Sequence, residues 1–122
     1  MPILDVHLIG PVPDGVRHGL AERIAEAAGR VLQSRPQATW VKLHFLTADA
    51  YAENAGGPPE GAQPVIVSVL LADRAEGEAL AAQAQLLTKA IADACARPDE
   101  NVHLIYEPPA RGRVAFGGRL RV

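Results

Sequence analysis

The chemistry of one residue near the start of the chain depends strongly on its position. Pro2 follows Met1 and opens the apolar segment PILDVHLIG. If Met1 is removed, the ring nitrogen of Pro2 becomes a free secondary amine. An ordinary α-amine titrates at a pKa of about 7.7 to 8.0, and both burial and a neighbouring cation lower that pKa. Pro2 is therefore a candidate general base, because a partly neutral amine is most effective near pH 7.

A second proline allows a purely structural interpretation of the first. Pro64 opens the similar segment PVIVSVLLA, and its nitrogen stays in an amide whatever happens to Met1. A proline is tolerated at the first position of a strand because its missing N–H is not needed there. Strand geometry thus explains Pro2 and Pro64 equally well, and only the chemistry of the free amine separates them.

The two proline-led segments belong to an internal repeat. They are offset by 62 residues, and Pro36 and Pro98 recur at the same offset. The strand-like WVKLHF and NVHLIY, and two Gly-Gly pairs expected to form hairpins, recur at an offset of 61. Such self-similarity predicts two copies of one unit. We expect repeat one at 2–57, a linker at 58–63 and repeat two at 64–118.

A helix pattern separates the strands of each repeat. Apolar residues recur at helical spacing from Val16 to Leu32 and from Leu80 to Cys95. Asp14 is a plausible cap of the first helix, whereas Glu76 and Glu78 place negative charge near the start of the second.

These elements predict the fold class. A strand–helix–strand unit requires a parallel pair with a crossover. Two units predict an α+β domain, with a four-stranded mixed sheet and two helices on one face. Apolar residues occupy both odd and even positions of segment 65–71, and would therefore project from both faces of the strand. Since parallel strands are usually buried on both sides, we expect the other face to be covered by oligomerisation.

Composition excludes several classes of protein. The chain has 122 residues, 48% of them hydrophobic, which suits one compact domain. A net charge of −2 provides no basic field for nucleic acid. Cys95 is alone, so no internal disulfide is possible, and a reducing cytoplasmic location is expected. Asp5 and His7 interrupt the apolar start, which therefore resembles neither a signal peptide nor a membrane span.

No metal or cofactor site is expected from the sequence. His7, His18 and His44 share no ligand spacing with carboxylates. The Gly-Gly pairs do not lie between a strand and a helix, so they do not form a phosphate-binding loop.

A proline-led strand–helix–strand unit that is duplicated resembles the tautomerase superfamily, over essentially the whole chain. Its two-unit members include malonate semialdehyde decarboxylase, cis-3-chloroacrylic acid dehalogenase and macrophage migration inhibitory factor; 4-oxalocrotonate tautomerase is a single-unit relative. The resemblance implies a homotrimer with no cofactor, in which the amino-terminal Pro2 is the catalytic base or acid. It also implies a small-molecule carboxylate substrate, and no nucleic-acid or membrane partner is expected.

The resemblance implies cationic residues that hold the carboxylate. Arg74 stands where the family carries an arginine after the first strand, and its planar fork suits a carboxylate. A surface arginine near a helix start is an equally good interpretation. The family's further arginine falls at Lys42 and His103, so a looser grip is expected. Trp40, Tyr106 and Phe116 are candidate walls of the pocket; the alternative is a place in the core or in an interface, which is commoner for aromatic residues near strand ends.

At two positions the sequence differs from specialised members of the superfamily, and these differences reduce the number of expected reactions. Ala72 stands where the decarboxylase has a second arginine, and Ala115 lies near the dehalogenase glutamate position. The favoured activity is a cofactor-independent keto-enol tautomerase or isomerase acting on a small unsaturated or aromatic 2-oxo acid. The alternatives are an amine-based decarboxylase or hydratase-like homologue, or a non-catalytic ligand-binding trimer. The tail RGRVAFGGRLRV holds four arginines, which are expected to form a solvated or subunit-bridging edge; the alternative is that they line the entrance of the site.

Overall fold

The computed structural model describes residues 1–122. Four strands form the main sheet: β1 (Ile3–Ile9), β2 (Trp40–Leu46), β3 (Val65–Leu70) and β4 (Val102–Tyr106). Three helices accompany it: α1 (Asp14–Arg17), α2 (Leu20–Leu32) and α3 (Gly77–Cys95). A separate hairpin of β5 (Ala115–Phe116) and β6 (Arg119–Leu120) follows near the carboxy terminus. None of the helices combines the length and apolar character needed to cross a membrane.

The sheet has the order β2-β1-β3-β4. Strands are parallel within each repeat and antiparallel where β1 meets β3. This topology confirms the predicted mixed sheet built from two β-α-β repeats. Because β1 and β3 run in opposite directions, the start of β1 lies beside the end of β3. Pro2 and the loop that carries Arg74 therefore lie at the same end of the sheet.

One face of the sheet forms the core. Alternate residues of β1 and β3 point to the same face, and those of the core face are completely buried, for example Leu4 and Val67. They belong to one cluster with Ile24 of α2 and with Leu87 and Ile91 of α3. The helices predicted from the apolar stripes thus cover this face, as expected.

The helix of repeat one differs from the expectation. A single helix was predicted across 16–32, but the structure has two, separated at Gly19, where φ is +69°. Glycine adopts this left-handed conformation without steric cost, so the chain turns there. Asp14 is the first residue of α1, and neither it nor Pro13 provides a side-chain cap. The prediction that Asp14 caps the helix is therefore wrong.

Only one of the two predicted Gly-Gly hairpins forms. Gly117 and Gly118 connect β5 to β6 with φ of +57° and +87°. Two consecutive positive φ values are required by the tight hairpin turn that matches strand twist, and glycine supplies them. In repeat one, the corresponding segment ends in the short 3₁₀ turn Asn54–Gly56, without a strand pair. The repeat has diverged at this point.

The opposite face of the sheet is uncovered in the single chain. Apolar residues stand on it, including Ile105 and Trp40, which are each 52% exposed. Polar residues, among them Asp5, Lys42 and His44, occupy its β1–β2 side. Exposed apolar side chains grouped on one face, with polar residues beside them, are typical of a surface that another molecule covers.

Candidate functional site

Pro2 lies at the edge of a cavity of about 490 Å³. It directly precedes β1, and its carbonyl accepts a hydrogen bond of 2.9 Å from the backbone N–H of Trp40. This bond continues the parallel pairing of β1 with β2 and fixes the backbone beside the ring. The cavity is lined by Met1, Pro2, Leu32, Gln33, Ser34, Arg35, Ala38, Phe116 and Arg121.

Two segments distant in sequence build the walls of this cavity. The first is the turn that follows α2. It begins at Gln33, which caps the helix in the left-handed conformation, and it brings Arg35 to the rim. The second is the carboxy-terminal hairpin, which supplies Phe116 and Arg121. The Phe116 ring meets the Trp40 ring edge-on, with centroids 5.5 Å apart. This contact docks the hairpin beside the start of β1.

The electrostatics of the cavity favour a neutral amine. The pKa of the Met1 amino group is lowered, first by partial burial and then by the positive charges of Arg121 and Arg35. Both causes disfavour the protonated form. Pro2, one residue further along the chain, lines the same cavity as these two arginines.

Arg74 lies in the loop after β3, at the same end of the sheet as Pro2, but outside the cavity of the single chain. Arg74 does not line the 490 Å³ cavity. It is half-buried, and its Nε is shielded from solvent without a hydrogen-bond partner. A buried guanidinium nitrogen without an acceptor is costly. An acceptor from outside the chain, such as a bound carboxylate or a neighbouring subunit, would satisfy it.

The other predicted substrate-binding residues are dispersed. Lys42 lies on the uncovered face of the sheet, with its Nζ 3.6 Å from a carboxylate oxygen of Asp5. His103 is exposed on the edge strand β4, opposite Ile66. The Tyr106 hydroxyl hydrogen-bonds to Gln83 of α3 at 3.1 Å, and burial raises the pKa of this phenol. None of the three lines the cavity at Pro2, whereas Phe116 does.

Sequence reasoning did not select two arginines of this cavity. Arg35 was not singled out, although it recurs as Arg97 in front of the matching proline of repeat two. Arg121 is one of the four tail arginines, for which the entrance of the site was the less favoured of two interpretations. Arg121 reaches the cavity because the Gly117–Gly118 turn folds the tail back. The only available signal was the high density of arginines in the tail.

A second polar group occupies the uncovered face. His7 and His44 stand opposite each other in the register of β1 and β2, and their rings stack with centroids 4.3 Å apart. His44 Nε2 lies 2.5 Å from Asp5 Oδ1. Burial raises the pKa of Asp5, but the His44 hydrogen bond and the Lys42 charge outweigh it, so that the net pKa is lowered. Sequence spacing gave no reason to expect this grouping, since pairing between strands creates it.

A larger cavity, of about 900 Å³, lies between α2 and α3. Its lining includes alternating charges such as Glu22, Arg23 and Asp93. These are solvated side chains on the outer surfaces of the helices, and the cavity includes neither Pro2 nor the arginines beside it. We therefore assign the candidate site to the smaller cavity.

Solved structures share the architecture of this chain. A wild-type fused 4-OT, solved as a symmetric trimer, has a TM-score of 0.78 at 16% identity and covers 98% of this chain and 94% of its own. The chain has the fused 4-OT fold. A neighbour solved after inactivation by 2-oxo-3-pentynoate has a TM-score of 0.73 at 16% identity, with coverage of 98% and 95%. The macrophage migration inhibitory factor-like protein of Entamoeba histolytica has a TM-score of 0.67 at 10% identity, with coverage of 94% for both chains.

The comparisons confirm the fold that the sequence resemblance implied. The aligned shares leave almost no part of the chain outside the fused 4-OT fold. No protein-family model matches the sequence, and no curated protein matches it either. At these identities the likeness concerns the fold, and the reaction must be argued from the site.

Proposed function

We propose that this chain, once Met1 has been removed, is a cofactor-independent keto-enol tautomerase whose base and acid is the amine of Pro2. Its substrate is a small unsaturated or aromatic 2-oxo acid. The observation that carries the proposal is the position of Pro2 in a cavity that also holds Arg35 and Arg121. A base beside two cations is the combination that proton transfer on an anionic substrate requires.

The proposed reaction moves one proton. The neutral Pro2 nitrogen accepts the hydroxyl proton of the enol, and the resulting ammonium donates a proton to the carbon that becomes saturated. The C=C double bond is replaced by C=O, so no electron acceptor or cofactor is needed. Arg35 and Arg121 bind the carboxylate and stabilise the developing enolate charge.

Arg74 completes the proposed site from the other repeat. Its unpartnered Nε lies at the same end of the sheet as Pro2. A carboxylate bound there would supply the missing acceptor. Lys42, His103 and Tyr106 remain candidates only if a neighbouring subunit delivers them to the cavity.

We further propose that the working form is a homotrimer. The uncovered sheet face, with its exposed Trp40 and Ile105, needs a partner. A structural neighbour is a symmetric trimer. Closed rotational symmetry would cover the exposed apolar residues of this face in each of the three subunits.

The decisive experiment compares Pro2→Ala with Pro64→Ala. Ketonisation of phenylenolpyruvate and of 2-hydroxymuconate is followed by absorbance with protein whose loss of Met1 has been checked by mass. Pro2→Ala replaces the secondary amine and should lower kcat/KM by about 10² to 10⁴, the contribution of a positioned base. Pro64→Ala changes the matching strand start without touching the amine and should retain the rate. Equal rates for the wild type and Pro2→Ala would refute the proposal.

A covalent probe separates the active amine from an inert one. A structural neighbour was inactivated by 2-oxo-3-pentynoate, an acid whose activated triple bond can react with an amine. The same compound should add to Pro2 of this chain in a single equivalent. If the compound abolishes activity and leaves Pro2 unmodified, another residue is the catalytic base. If the chain has no activity and forms no adduct, a non-catalytic binding trimer is favoured.

A further inference from the structure

We infer that Asp5, His7 and His44 form a binding site for a divalent transition-metal ion on the uncovered face of the sheet. One donor atom from each of the three residues lies within 4.8 Å of the others. None of them lines the cavity at Pro2. The site is separate from the proposed reaction, and it does not depend on it.

Strand pairing fixes the positions of the three side chains. β1 and β2 are parallel, with His7 opposite His44 and Asp5 opposite Lys42. Residues two apart on a strand project from the same face. Asp5, His7 and His44 therefore converge on one spot, where two central positions of β1 meet one of β2.

The chemistry of the donor set selects the class of metal. Two imidazoles and one carboxylate are ligands that Zn²⁺, Co²⁺, Ni²⁺ and Cu²⁺ accept, with further positions left to water. Calcium and magnesium prefer oxygen ligands and would bind poorly to two imidazoles. Asp5 provides the single negative charge of the site.

The geometry requires only small side-chain movements. Ligands about 2.1 Å from a tetrahedral Zn²⁺ lie roughly 3.4 Å from one another. His44 Nε2 and Asp5 Oδ1 are already 2.5 Å apart and would separate slightly as the metal replaced their shared proton. The stacked His7 and His44 rings would rotate out of their parallel arrangement. The His44 side chain is 45% exposed, so it has room to do so.

Lys42 is the one opposing charge. Its Nζ lies 3.6 Å from Asp5 Oδ2, on the oxygen that does not face His44. It orients the carboxylate so that Oδ1 points to the histidines, but its charge repels a cation. Lys42→Gln should therefore retain the ligands and tighten metal binding, which distinguishes electrostatic tuning from a structural role.

Zn²⁺ is the probe used to test the site. The intact chain, in a buffer that does not bind metals, is titrated with Zn²⁺ by calorimetry, and nitrogen NMR of the four histidines is recorded in parallel. We expect one Zn²⁺ per chain with micromolar affinity, and changes at two imidazoles. His44→Ala and Asp5→Asn should each weaken binding by about tenfold or more. His18→Ala, which removes an exposed histidine outside the cluster, should leave the affinity unchanged.

Three results would overturn the inference. They are the absence of saturable binding, binding that survives both His44→Ala and Asp5→Asn, and equal perturbation of all four histidines, which would indicate adventitious binding. Circular dichroism of each variant checks folding. Because Asp5→Asn preserves the shape of the side chain, it keeps the test valid if His44→Ala is unstable.

Discussion

Replacing Arg121 by Gln tests whether the carboxy-terminal hairpin holds the substrate. Arg121 lines the cavity at Pro2, and its side chain makes no hydrogen bond within the chain. A hydrogen bond to a charged group contributes about 1.5 to 3 kcal/mol. Because Arg121 is exposed, water screens its charge, and the lower end of that range applies. A loss of about 1.4 kcal/mol corresponds to a tenfold lower kcat/KM.

The assay compares a 2-oxo acid with its methyl ester. If Arg121 binds the carboxylate, Arg121→Gln lowers kcat/KM about tenfold for the acid and much less for the ester. Arg119→Gln is the matched control, since Arg119 lies on the same hairpin, carries the same charge and does not line the cavity. Equal effects of the two substitutions, or equal losses for acid and ester, would refute the reasoning.

Three further predictions concern acidity, reactivity and packing. Arg35→Gln should move the acidic limb of the pH–rate profile to higher pH, because removing a cation raises the pKa of the amine that must be neutral. An unchanged limb would show that Arg35 does not influence the pKa of the base. Burial raises the pKa of Cys95 from 9.0 to about 11. Its reaction with a thiol reagent near pH 8 should therefore be about 100-fold slower in the folded chain than in urea. Similar rates would show that Cys95 of α3 is accessible to solvent in the folded chain. Ile24→Ala should cost about 2 to 5 kcal/mol in denaturant unfolding, whereas Leu86→Ala, 61% exposed, should cost under about 0.5 kcal/mol; similar costs would contradict the assigned core.

The strands and helices of the sheet could be predicted from the sequence because the patterns that indicate them are local. Apolar strands at matched offsets and helical stripes are visible without knowledge of tertiary contacts, and they lead directly to two parallel pairs. The break at Gly19 was missed because the apolar stripe continues across it, whereas the backbone conformation is decided by a single residue. The missing hairpin at Gly56 shows that a repeated dipeptide need not keep its partner strand.

The candidate site was less predictable because long-range folding creates it. Pro2 and Phe116 were singled out from sequence, and the structure places both at one cavity. Arg35 was missed, and Arg121 was considered only as one of four tail arginines, since nothing in the spacing of residues 35 and 121 relates them to residue 2. The grouping of Asp5, His7 and His44 was invisible for the same reason, because it depends on the register of two parallel strands.

Mass analysis of the amino-terminal peptide, taken from the protein as its own host makes it, tests the central claim most directly. The account requires a free amine at Pro2, in the cavity that Arg35 and Arg121 also line. It predicts that the peptide begins at Pro2, with Met1 removed. A peptide that retains Met1 would leave the Pro2 nitrogen in an amide without a basic lone pair, and it would contradict the proposed catalysis.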